Sequence, residues 1–235
     1  INAGLVGSEM CIRDRGIPAP TSAASTSITS GTDDGTQTQY STSYVYTFVS
    51  AFGEEGPPSP ASTVLTKVDG QTVTISGMDT ATSKSNTNLA NKRIYRSNTG
   101  SNTTNFQFVK EVSLATASTT DNLNNDALAE IIPSTYWIAP PDDDTSTYPN
   151  GQMLGLTAMA NGIFAGFSGK RICFSEPFLP HAWPVAYRIT LEEEIVSIAM
   201  AGQVLFIATK GTPYIAAGTD PVSYTHLTLP TTQVV

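Results

Sequence analysis

Few residues in this chain have types suited to chemistry, and they are scattered. His181 stands in LPHAWP with no constellation of serine, cysteine or carboxylate around it, so it reads as a structural or interface histidine rather than a base. Cys173 alternates with apolar residues in a predicted strand, the setting of a small buried hydrophobe. Asp142–Asp144 are hard-cation ligands by type, but adjacent carboxylates in a Pro-rich loop are more often simply solvated. DNLNND (Asp121–Asp126) resembles the start of a calcium loop. It lacks the central glycine, and Ile132 occupies the position of the closing glutamate, which removes that reading. LEEE (Leu191–Glu194) reads as a charged edge that discourages stray strand pairing. Phosphate loop, dinucleotide fingerprint, nucleophile elbow and zinc spacing are all missing. The expectation is a non-enzyme with no catalytic, cofactor-binding or metal residue and no cofactor.

The termini need separate treatment. Met10–Asp14 can be written in codons as ATG TGT ATA AGA GAC, followed by the AG that begins an arginine codon for Arg15. The reverse complement, completed by one leading C, encodes Pro-Val-Ser-Tyr-Thr-His, which is Pro221–His226. The two ends are therefore translations of opposite strands of one DNA sequence. GSEMCIRD (Gly7–Asp14) and VSYTHLTLPTT (Val222–Thr232) resemble the translated transposase adapters of a sequencing library. We expect residues 1–14 and 222–235 to be adapter-derived and non-native. No apolar run of signal-peptide length occurs in the first fifteen residues.

Composition is then read on the remainder. Setting aside Arg13, Glu9 and Asp14 takes the 12 basic and 20 acidic residues of the whole chain to 11 and 18. The balance stays acidic, which argues against a phosphate-neutralising surface for nucleic acid and against an anionic membrane face. Cys11 and His226 fall in the adapter segments, so Cys173 and His181 stand alone and no intrachain disulfide is expected. No apolar run reaches membrane-spanning length. About 205 residues remain, room for one or two domains.

Short β-branched and aromatic runs between Gly, Pro and Asn clusters predict an all-β fold. Residues 15–43 are rich in Ser and Thr and read as a linker. Tyr44–Phe52 alternates as a strand and runs into the turn GEEGPPSPAS. Further strands are predicted at Ser62–Thr66, Thr72–Ser76, Lys92–Arg96 and Phe106–Val112, with a short one in TASTTDNL. Residues 131–154 are rich in Pro and Asp and read as a second linker, pinned by Trp137.

The last section contains a repeat. Ala158–Glu176 aligns without a gap to Ala199–Ala217 at an offset of 41 residues. Each copy reads strand, tight turn, strand, tight turn, strand, with Asn161-Gly162 as a strong hairpin signal. A fourth strand fits near Ala186–Leu191. A period near 40–45 made of antiparallel strands is the β-propeller pattern, although the Ser-x-Asp-x-Gly boxes of sialidase propellers are missing. Repeat units need neighbours to bury their faces, so residues 155–221 are expected to be the first blades of a larger, truncated array.

Two resemblances accompany these readings. YVYTFVSAFGEEGPPSPAS resembles the closing hairpin of a fibronectin type III module. VTISG, KRIYRSNTG and FQFVKEV resemble its early and middle strands. The closing hairpin comes first here, so either two modules meet or one sandwich is permuted; residues 44–130 are assigned to this region. GIFAGFSGKRICFSEPFLPHAWP (Gly162–Pro184), with YVYTFVSAFGEEGPPSP and KRIYRSNTG, resembles structural proteins of tailed-bacteriophage virions, with tail nozzle and tail tubular proteins the nearest class. That resemblance implies a virion assembly component that forms rings with its own copies and contacts other tail proteins. It carries over no site residues. The alternative is a bacterial surface adhesin or carbohydrate-binding β-protein.

Overall fold

In a computed structural model the chain is described over residues 17–82, 87–99, 104–133, 137–141, 146, 148–202, 204–217 and 227–228. The expected adapter segment 1–14 lies outside these residues, as does most of 222–235. The fold is all-β: antiparallel sheets with only short 3-10 turns among the described residues, and no closed barrel. No described helix is long and apolar enough to cross a membrane. The chain divides into two compact units, residues 17–135 and residues 136–235. The division falls inside the stretch 131–154 that reads as a linker. Its ends do not behave as one, since Ile132, Ala139 and Met153 are buried.

The first unit contains β1 (Ser25–Ser30), β2 (Tyr40–Thr42), β3 (Tyr44–Ser50), β4 (Glu55–Pro58), β5 (Leu65–Lys67), β6 (Thr72–Ser76), β7 (Leu89–Thr99), β8 (Thr104–Ser113) and β9 (Thr119–Asp121). Four strands form a sheet in the order β4-β3-β7-β8, three form β1-β6-β9, and β2-β5 is a ribbon. Tyr44, Tyr46 and Phe48 of β3 and Ile94 of β7 share a core with Val73 and Ile75 of β6, so the two larger sheets form one sandwich. β3 joins both halves of the region, pairing with β4 on one side and β7 on the other. One sandwich is present here rather than parts of two.

Every residue of β3 is buried. Its second face, through Val45, meets Tyr95 and Ile132, because residues 129–132 run beside β8. β4 is an edge strand, the place where prolines are tolerated in a sheet. Beyond the prolines, Ser59 and Ser62 take over the ladder: each backbone N–H donates to β3, and each hydroxyl accepts from a β3 amide.

The Ser/Thr-rich segment 15–43 is not simply a linker, and that expectation is corrected. It supplies β1, paired with β6 apart from an irregularity at Thr29, and β2, paired with β5. β1 is exposed over most of its length and held by backbone hydrogen bonds.

The second unit contains β10 (Leu154–Ala158), β11 (Phe164–Ser168), β12 (Arg171–Phe174), β13 (Arg188–Thr190), β14 (Ile195–Ala201), β15 (Val204–Thr209), β16 (Tyr214–Ala217) and β17 (Leu227–Thr228). They form two four-stranded sheets, β10-β11-β12-β13 and β14-β15-β16-β17, each built from neighbours in sequence. At the first hairpin Asn161 and Gly162 both take positive φ, 59° and 68°, the conformation these two residue types adopt at least cost. Between β11 and β12 the repeat is also a repeat of register: the pairs Ala165↔Phe174 and Gly166↔Cys173 recur 41 positions on as Phe206↔Ile215 and Ile207↔Tyr214. The first strand of each sheet does not follow, since Thr157 lies opposite Ala165 but Ala199, not Ile198, lies opposite Phe206. β17 adds two residues to the free edge of β16. Such pairing uses only backbone groups, so any sequence can supply it.

Candidate functional site

Residues of chemical type are placed mainly in the interior, and there they bind one another. His181 is buried in the loop after β12, its ring edge-on to Trp137 at 6.2 Å. Trp137 Nε1 donates to Glu176 at 3.3 Å, and the Tyr187 hydroxyl donates to the same carboxylate at 3.4 Å. The loop is closed by its own backbone: Glu176 N–H donates to Ala182, Ala182 N–H to Leu179, and Trp183 N–H to Ile138. Phe178 sits at φ 60° with its ring over Gly162, where a Cβ would come within 2.5 Å of it. His181 is thus part of a folded corner.

Cys173 lies on β12 opposite Gly166 and is fully buried beside Met153 and Trp183. Burial pushes its thiol up to about 11, so little thiolate forms at neutral pH and the residue is chemically quiet. Asp142–Asp144 lie outside the described residues. Glu192–Glu194 occupy the exposed loop between β13 and β14 rather than a strand edge, which corrects the reading of LEEE; Glu194 pairs with Lys210. A crevice lined by Pro141, Tyr148, Pro149, Asn150, Ser168 and Arg171 has room for about one water.

The polar centre of the molecule is in the first unit, where sequence reasoning named no site. Lys92, Ile94 and Arg96 share the inward face of β7, and all three are buried. Arg96 Nη1 donates to Asp121 Oδ2 at 2.6 Å, and the Tyr44 hydroxyl donates to the same oxygen at 2.8 Å. Asp121 Oδ1 accepts the backbone N–H of Leu123, so both carboxylate oxygens are engaged. Arg96 also donates to the carbonyls of Leu123 and Asn124, and Lys67 Nζ donates to Leu123 O. These bonds fold DNLNND back onto the sandwich and use the oxygens that a cation would need. Among the described residues no group of three His, Cys, Asp or Glu is placed to hold a metal.

Two further clusters repeat the pattern. Lys92 Nζ donates to the carbonyls of Asp79 and Thr116 and lies over the Tyr46 ring. Glu55, buried on β4, accepts from Thr47 and Tyr95 at 2.6 Å and from Arg93 at 3.0 Å. Burial holds Lys92 and Lys67 below the usual lysine value and raises Tyr44 and Tyr95 above the usual tyrosine value, the two tyrosines helped by the carboxylates they face. The signal was present in KRIYR: period-two alternation puts Lys92, Ile94 and Arg96 on one face, and an apolar core residue between two cations marks that face as inward.

The class defined by these features is an all-β protein of stacked antiparallel sheets whose buried charges are fixed by its own chain. Comparison with known proteins finds no matching family model and no matching curated protein.

Proposed function

We propose that this chain is a non-enzymatic assembly component of a tailed-bacteriophage virion, belonging to the tail. The observation that carries the reading is where the charge goes. Glu55, Lys67, Lys92, Arg96 and Asp121 are all buried, and each is held by groups of its own chain. Ionisable groups arranged for turnover converge on an accessible cleft; these are used for rigidity, which suits a building part. The specific class comes from the resemblance of Gly162–Pro184, YVYTFVSAFGEEGPPSP and KRIYRSNTG to phrases of tail nozzle and tail tubular proteins. A sandwich of three plus four strands, whose β3–β4 hairpin resembles the closing hairpin of a fibronectin type III module but precedes β6 to β9, suits a permuted module of that kind. The two four-stranded sheets of the second unit, each built from neighbours in sequence, suit the first blades of a propeller. Its partners are then other tail proteins and further copies of itself in a ring, and its place is the virion assembled in the host cytoplasm.

Reading the DNA on both sides of this frame tests the proposal. Neighbouring frames for virion assembly are the expected result, and a metabolic neighbourhood overturns it. A secretion signal upstream, together with binding on a glycan array, would put a surface adhesin in its place.

A further inference from the structure

The two sheets of the second unit do not use their faces alike. Ile163, Ala165, Phe167 and Phe174 project from one face of the first sheet region, and all are buried in the unit's core. They meet the opposite-type face of the second sheet: Ile198, Leu205, Ile207 and Ala216. Because β11–β12 and β15–β16 keep one register at the 41-residue offset, the second-sheet counterparts of the first set are Val204, Phe206, Ala208 and Ile215. None of these four is buried. Phe206 is 46% exposed, and Val196 nearby is 57% exposed. On β14 the residues opposite this face are Ser197, Ala199 and Ala201, paired with Ala208, Phe206 and Val204; β14 pairs with β15 one residue out of step with β10 on β11.

We propose that the face formed by Val204, Phe206, Ala208 and Ile215, with Ser197, Ala199 and Ala201 of β14 beside them, is the docking surface for a third repeat of the same 41-residue kind. The third repeat presents the counterparts of Ile198, Leu205, Ile207 and Ala216. The first interface already has this head-to-tail form, and such interfaces continue rather than close on themselves. A second copy of the chain cannot supply the same complement. Its first sheet has that type of face already covered, with Cys173 and Phe164 against Met153 and Trp183, and a Cβ at Gly166 would come within 2.6 Å of Met153. The two interfaces also differ in their pattern of size. Ala165 and Phe167 in the first sheet correspond to Phe206 and Ala208 in the second, so large and small residues change places. This inference rests on the repeat alone and is independent of the virion reading.

The test extends the full chain after Ala217 with a second copy of residues 177–217 and compares it with the unextended chain by amide hydrogen exchange. A second extended form carries Phe206→Ala and Ala208→Phe, giving the second sheet the first sheet's pattern should plain duplication fit poorly. In at least one extended form, exchange across Val204–Thr209 is expected to slow about 10-fold or more, and Phe206→Asp in the plain extension removes any slowing. In the unextended chain Phe206→Asp leaves the exchange of Phe164–Ser168 unchanged. Appended residues exchanging at unstructured rates in both extended forms, with the first two sheets intact, overturn the proposal. So does a dimer of the unextended chain, seen by sedimentation, that Phe206→Asp dissolves, because the occupant is then a second copy.

Discussion

The two units solve the problem of a β-sheet interior in different ways. All five buried charged side chains among the described residues, Glu55, Lys67, Lys92, Arg96 and Asp121, are in the first unit. The core of the second is built from Met159, Ile163, Phe167, Ile172, Phe174, Leu191, Ile195, Ile198, Leu205 and Ile207, with alanines between them. A core tied by ion pairs fails when one partner is deleted, because the remaining charge is stranded in a low dielectric. An apolar core fails when volume is removed. The first kind specifies one arrangement of strands; the second joins unlike faces of two related sheets through apolar contact alone.

The largest effect that would break or confirm this contrast is at Asp121. Asp121→Ala leaves Arg96 buried without its carboxylate and is expected to cost the first unit about 3–5 kcal/mol. Replacing both partners by apolar residues of similar size, Arg96→Met with Asp121→Leu, is expected to recover most of that loss. Both tryptophans, Trp137 and Trp183, lie in the second unit, so urea unfolding followed by their fluorescence should not shift, while circular dichroism should. A common shift in both signals would show that the units unfold together.

Phe174→Ala makes the converse cut. It opens a cavity in the apolar core and is expected to cost about 3–5 kcal/mol, read as a lower urea midpoint by tryptophan fluorescence. Hydrogen exchange of Tyr44–Ser50 should stay as it was. Slower or faster exchange there would erase the distinction between the two interiors.

The smallest effect is one of pH. Burial raises Tyr44 and Tyr95, and raises Tyr46 to about 12. A tyrosine raised in the folded state contributes stability that is complete below about pH 10, its unfolded value, and lost as pH climbs through the folded value. Lys67 and Lys92, lowered by burial, act in the opposite sense and offset part of the loss. Tyrosinate absorbance from the first unit should therefore rise together with loss of its sheet signal, above about pH 11. A gradual titration near pH 10 with the sheet intact would count against the buried network.

Where polarity alternated with period two, the sequence was readable. Thr72–Ser76 was placed to the residue, and Lys92–Arg96 and Phe106–Val112 lie inside β7 and β8. The 41-residue repeat was legible because Ala-Met-Ala recurs without a gap ahead of the same order of strands and tight turns. β1 was not legible: SXSIXS-like alternation of small polar residues, here STSITS, contains one large apolar side chain, and its pairing with β6 is a matter of backbone groups. The polar clusters were hidden for another reason. Asp121 is 25 residues from Arg96 and 77 from Tyr44, so their meeting depends on how two sheets stack, which no local pattern encodes.

The exchange of Ala165 and Phe167 for Phe206 and Ala208 also bears on how such a chain assembles without error. Two sheets of the same register would be interchangeable if their faces matched, and a nascent array could skip or swap a unit at little cost. In the proposed array, moving the bulky ring by one pleat would give each junction its own lock. The order of the sheets would then be written into side-chain size, with a wrong neighbour meeting ring against ring at one position and a void at the next.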